Sequence, residues 1–173
     1  MKVAIIYSSI TGNTKLLAET IKSEIKEEIV YFGKPINEEI DADVYFIGSW
    51  TNKGDAANDI INFLKNLKNK KIVYFGTAGY GGSTVYYDTL FSRVKQYIDS
   101  SNTIVGHFYC QGKMPIQVKE RYIKMITENP NDKNLKVSLK NFEDALTHPD
   151  KKDLENVKNW INETFTEMKY NNE

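Results

Sequence analysis

One cysteine, four prolines and a net charge of zero are the first constraints on this 173-residue chain. Cys110 has no partner with which to form a disulfide within the chain, and it cannot build a cysteine cage for a metal. Any redox chemistry therefore needs a bound cofactor. Lysine plus arginine equal aspartate plus glutamate at 23 each, so the whole-chain field that draws nucleic acid or an anionic membrane surface is missing. No nucleic-acid partner is expected. No apolar run approaches the roughly 18 residues that a membrane helix needs, so no membrane span is expected either. After Met1-Lys2 the chain goes straight into Val3-Ala4-Ile5-Ile6, without the longer apolar segment and cleavage site of a secretory signal. A cytoplasmic protein is the expectation. The size and the 40% hydrophobic content suit a single domain over 1–173.

What is present is a repeating order. Continuous apolar, β-branched or aromatic runs recur at Val3 to Tyr7, Ile29 to Phe32, Val44 to Ile47, Ile72 to Phe75 and Ile104 to Tyr109. Such runs read as strands buried on both faces. Helical spacing fills the gaps, at Leu17, Ile21, Ile25; at Ile60, Ile61, Phe63, Leu64, Leu67; at Leu90, Val94, Ile98; and at Leu154, Val157, Ile161, Phe165, Met168. Strands alternating with helices imply an α/β fold, a doubly wound five-stranded parallel sheet with helices on both faces. Gly112 to Pro149 is too long for an ordinary connection. It is expected to be a helical insertion after the fifth strand, with helical spacing at Val118, Tyr122, Ile123, Met125, Ile126 and again from Leu135 to Leu146. A packed appendage is the first reading of it, and a wall over the ligand or a partner-docking surface the second. Asp150 and Asp153 have the spacing of a capping box, which makes His148 a structural residue.

The stretch YSSITGNT, Tyr7 to Thr14, follows the first strand. Ligands of open parallel sheets bind beyond the carboxyl ends of the strands, and the start of the next helix offers unpaired N–H groups that suit a phosphate. Ser9, Thr11, Asn13 and Thr14 add side-chain donors, while Gly12 permits close approach. One capping residue would suffice for a helix, so this many donors point to an anion. Neither GxxxxGK[ST] nor GxGxxG occurs, which sets aside the phosphate loop of nucleotide hydrolases and the dinucleotide fingerprint. A receiver-type signalling domain needs acidic residues where Ser8-Ser9 and Ser49-Trp50 stand.

SITGNT, Ser9 to Thr14, resembles the [ST]-x-T-G-x-T loop of flavodoxins, which bind flavin mononucleotide (FMN). The resemblance implies that the phosphate sits at Ser9, Ile10, Thr11, Gly12, Asn13 and Thr14. It also implies that two further loops hold the flavin ring: Ser49, Trp50, Thr51, Asn52, Lys53 and Gly54 after the third strand, and Thr77, Ala78, Gly79, Tyr80 and Gly81 after the fourth. Trp50 can stack on a flat heteroaromatic ring, and Tyr80 or Tyr86 can supply the second face. Gly54 permits a turn in which one peptide reverses orientation. Glycines in the loop from Thr77 to Gly82 would bring backbone N–H groups near the O2 and N1 edge of the ring, and Gln111 or Lys113 is expected to reach the flavin or a substrate. His107 and Cys110 end the fifth strand, with Cys110 read as a buried structural thiol. No residue is singled out as catalytic and no metal site is expected. The function implied is electron transfer between a reductase and an acceptor oxidoreductase. The alternative is a small FMN-dependent oxidoreductase acting directly on a substrate or quinone.

Overall fold

The computed structural model describes residues 1–170. Its elements are β1 (Lys2–Ser8), α1 (Asn13–Glu24), β2 (Glu28–Gly33), β3 (Val44–Asn52), β4 (Asp55–Ala56), α2 (Asn58–Asn66), β5 (Lys71–Ala78), α3 (Thr84–Lys95), β6 (Thr103–Gln111), α4 (Ile116–Glu128), α5 (Lys133–Ala145) and α6 (Lys151–Tyr170). Five strands form one parallel sheet in the order β2-β1-β3-β5-β6, and the two-residue β4 pairs antiparallel with β3 off its end. The chain leaves β1 in one direction and returns to the other side of it through β3, so the order reverses between these two strands.

Alternation along each strand splits the core in two. Val3, Ile5, Phe46, Val73 and Phe75 point to a layer built from Leu17, Ile21, Val157, Ile161 and Phe165 of α1 and α6. Ala4, Ile6, Tyr45, Ile47, Ile72 and Tyr74 point to Ile60, Leu64, Leu90, Phe91 and Val94 of α2 and α3. The central strands are buried on both faces, as their continuous apolar runs predict. The outer two are not. β2 and most of β6 are only half-buried, because each has a neighbour on one side alone.

The insertion forms a hairpin of α4 and α5. α5 is anchored by buried Leu135, Phe142 and Ala145, whereas α4 buries no residue fully. After it, Asp150 and Asp153 cap α6 reciprocally, each backbone N–H donating to the other's carboxylate at 2.8 and 2.9 Å. His148 Nδ1 lies 2.6 Å from Asp153 Oδ2, so the cluster of His148, Asp150 and Asp153 closes on itself as a helix start. No described helix is long and apolar enough to cross a membrane.

Candidate functional site

The carboxyl ends of β1, β3 and β5 and the root of the insertion surround a cavity of about 520 Å³, within the size range of small-ligand sites. It is lined by Ile10, Thr11, Asn13, Trp50, Thr51, Asn52, Lys53, Gly54, Thr77, Ala78, Gly79, Tyr80 and Tyr86. The structure thus brings most of the residues picked out in sequence around one space. A larger cleft, about 720 Å³, runs from Pro35 to Lys70, just before β5, and none of those residues lines it.

The phosphate end begins at α1. Its first turn follows Gly12, whose φ is 88°, and no side chain caps it. The free N–H groups of this turn, with the positive end of the helix dipole, face whatever the loop holds. Ser9 Oγ is shut off from solvent and has no hydrogen-bond partner; among the described residues it is the one buried side-chain oxygen in that condition. Buried hydroxyls are normally paired; Ser9 lines neither the cavity nor the smaller space beside Gly12, so its hydroxyl would meet a ligand at the loop only after the side chain turns. Thr14 plays a different part from the one the sequence suggests. Its Oγ1 lies 2.9 Å from Thr77 Oγ1 in the interior, tying α1 to the end of β5, so the hydroxyl is engaged in the fold. Asn13 is likewise committed, donating from Nδ2 to the Lys113 carbonyl at 2.8 Å. Lys113 lines the cavity and also the smaller space beside Thr11, Gly12 and Asn13. It brings to the phosphate end a cation that Tyr7–Thr14 lacks.

The ring end is a strand extension and a hairpin. β3 continues through Trp50, paired with Thr77, to Asn52. Lys53 and Gly54 then turn it back, with φ of 49° and 81°, as the mirror-image two-residue hairpin turn requires. Ser49 does not face the cavity. It is buried, donating to the Trp50 carbonyl at 2.7 Å and accepting from the Ala57 N–H at 2.8 Å. Trp50 is half-buried against the cavity and has no aromatic partner among the described residues, so its indole is not a core residue. Tyr80 and Tyr86 both line the cavity and meet edge-to-face with centroids 6.5 Å apart. Burial raises the Tyr86 phenol above its ordinary range. Arg93 of α3 donates to the Gly54 carbonyl at 2.9 Å, fixing one peptide of the turn.

The insertion packs through α5, by Leu135, Phe142 and Ala145, and contributes to the cavity through its root and α4. Met114, Pro115, Val118, Arg121 and Tyr122 line the cavity. Gln111 does not reach into it; its amide donates to the Gly79 carbonyl at 3.0 Å. Glycines at 79 and 81 leave room for this packing, since a Cβ on Gly79 would lie 2.5 Å from Met114 Sδ and one on Gly81 2.5 Å from the Gln111 amide. Cys110 is 3% exposed and burial pushes its thiol up, consistent with a structural role. His107 lies on the α3 face, stacked on Phe91 and 3.0 Å from Asp88.

These residues suit FMN: an orphaned hydroxyl and an uncapped helix start for the phosphate, a partnerless indole and two phenols for the ring. Comparison with known proteins agrees. The model of a flavodoxin domain family matches residues 4–162. Flavodoxin-like domain-containing protein BilS of Clostridium symbiosum (strain WAL-14163) is 38% identical over 172 residues, covering 89% of this chain and 90% of that one. Its counterpart from Clostridioides difficile (strain CD3) is 35% identical over 161 residues with the same coverage. Among solved structures, oxidised flavodoxin 2 from Bacillus cereus superposes with a TM-score of 0.59 at 18% identity, covering 97% of this chain and 99% of that one. The flavodoxin of Streptococcus pneumoniae TIGR4 gives 0.57 at 13% identity over 96% and 99%; at such identities the two structures speak for the fold. The chain belongs to the flavodoxin family, and its cofactor is flavin mononucleotide.

Proposed function

We propose that this chain is a cytoplasmic electron carrier, taking electrons from a reductase and delivering them to an acceptor oxidoreductase. The observation that carries this reading is the make-up of the cavity wall: among the described residues that line it there is no carboxylate, histidine or cysteine. Its ionisable groups are Lys53, Lys113 and Arg121 with Tyr80, Tyr86 and Tyr122. Burial raises Tyr86 and Tyr122 further from neutrality, so neither phenol is poised near neutral pH to move a substrate proton. The flavin supplies the redox chemistry when bound. The protein's part is to hold the phosphate at Ser9, Thr11 and the α1 start, to pack the ring against Trp50, and to keep cations near its edge. Ile10 and Tyr80 stay exposed at the mouth, 62% and 39% accessible, where a partner can come within transfer distance.

The α4 wall favours a second reading, a small oxidoreductase acting directly on a substrate or quinone, because Met114, Val118 and Tyr122 give the cavity an apolar cover. Stopped-flow reoxidation of the photoreduced protein by a soluble quinone separates the two. A carrier without a substrate site gives a rate that rises linearly with quinone concentration. A rate that saturates at sub-millimolar quinone identifies a substrate site and the enzyme reading.

A further inference from the structure

The loop after β5 is held from outside the cavity by a closed set of amides. Gln111 Nε2, at the end of β6, donates to the Gly79 carbonyl at 3.0 Å and to Asn141 Oδ1 at 3.1 Å. Asn141 Nδ2, on α5, donates to the same Gly79 carbonyl at 3.0 Å. Three residues earlier on the same helix, Ser138 Oγ is hydrogen-bonded to the Tyr80 hydroxyl. Gly79 and Tyr80 line the cavity, whereas Gln111, Ser138 and Asn141 do not. The Gly79 carbonyl is therefore directed away from the cavity. The peptide it belongs to is trans, and in a planar trans peptide the N–H points opposite to the C=O. The Tyr80 N–H is thus turned toward the cavity, and no hydrogen bond among the described residues takes it up.

We infer that Gln111 and Asn141 are positioning residues which aim the Tyr80 N–H at the electron-rich edge of the flavin ring, so that the α4–α5 insertion controls how strongly the reduced flavin is held. This rests on FMN occupying the cavity. A backbone dipole fixed in advance stabilises charge that develops during reduction, because it needs no reorientation when the charge appears. Two donors on one carbonyl fix the peptide more firmly than one would, and both come from side chains that are themselves only partly exposed. The α5 hairpin thereby acts on the flavin without touching it.

The test uses Asn141→Leu, close in size and neutral, with Asn141→Ala as a second variant and Gln111→Leu to remove the clamp from the β6 side if α5 packs poorly. Lys140→Ala, an exposed neighbour paired with Asp144, is the control. Dissociation constants for oxidised FMN and riboflavin are combined with midpoint potentials to give those of the reduced forms. Loss of the clamp is expected to weaken reduced FMN at least fivefold more than oxidised FMN, making the two-electron potential about 20 mV more negative. The same differential is expected with riboflavin, since the effect acts on the ring and not on the phosphate. Equal weakening of both redox states, or a potential within error of wild type in correctly folded variants, overturns the inference. Failure of the wild-type protein to bind FMN would instead remove the reading beneath it.

Discussion

Replacing Ser9 with alanine separates ligand binding from folding. In the folded chain the Ser9 hydroxyl is buried and unpaired, a condition that costs roughly 1–3 kcal/mol for a neutral group. The alanine variant removes that penalty, so the apoprotein should be as stable as wild type or more so. A gain of 1 kcal/mol corresponds to about 2–4 °C in Tm for a domain of this size. With FMN bound, the same hydroxyl can donate to a phosphate oxygen, a charge-assisted bond worth about 1.5–3 kcal/mol. Ser9→Ala should therefore weaken FMN roughly ten- to hundredfold while leaving riboflavin, which has no phosphate, nearly unaffected. Fluorescence titration with both ligands and thermal melts of the apoprotein read these effects separately. Equal losses for FMN and riboflavin would refute the phosphate assignment. A drop of several degrees in the apoprotein Tm would show that the hydroxyl serves the fold and not the ligand.

Trp50→Ala should recover part of the flavin fluorescence and weaken FMN by roughly 1–3 kcal/mol, combining lost stacking and lost burial; a variant with unchanged quenching would move the stacking role to Tyr80 or Tyr86. Lys53→Glu places a like charge near the reduced ring, and for an exposed position this should lower the two-electron potential by about 20 mV, read by potentiometry at low salt and fading as salt is added. Arg93→Leu frees the Gly54 carbonyl to turn toward the flavin, which should raise the same potential by about 20 mV, if the exposed bond is worth about 1 kcal/mol; no change would mean that the turn keeps its orientation without Arg93. Because burial raises the Cys110 thiol, the native state holds its proton above the ordinary thiol pKa of about 8.5, where the unfolded state loses it. Cys110 therefore favours folding below that pH, and the contribution fades as pH rises through the alkaline range. Iodoacetamide at pH 8 should leave the folded protein unmodified and label it in urea, and Tm should fall from pH 8 to pH 10 less steeply in Cys110→Ala than in wild type.

The parts of the molecule that could be read from sequence are those encoded locally. The central strands betray themselves by uninterrupted apolar runs, and Tyr7–Thr14 by an excess of donors over what a helix start needs. The edge strands read like the central ones, because position in a sheet depends on the whole chain and not on Ile29–Phe32 or Ile104–Tyr109 themselves. Ser49 to Asn52 read as a loop from its polar side chains, yet pairing of Trp50 with Thr77 carries β3 onward, a tertiary effect that overrides local preference. The loop donors look equivalent in sequence, whereas in the structure Thr14 and Asn13 are committed to the fold and Ser9 is left free. Nothing local links Gln111 to Asn141, thirty residues apart, so the wall and its hold on Gly79 were hidden. A helical segment of thirty-odd residues following a strand at the ligand edge was the available signal.

Cytochrome c reduction by NADPH, supplied with a flavodoxin reductase and catalytic amounts of the FMN-loaded protein, tests the carrier reading most directly. The account predicts a rate that needs all three proteins, rises with the concentration of this chain, and is lost in Ser9→Ala at limiting FMN but restored by excess FMN. Oxidation of NADPH by this chain alone at the full rate, with the reductase adding nothing, would contradict it.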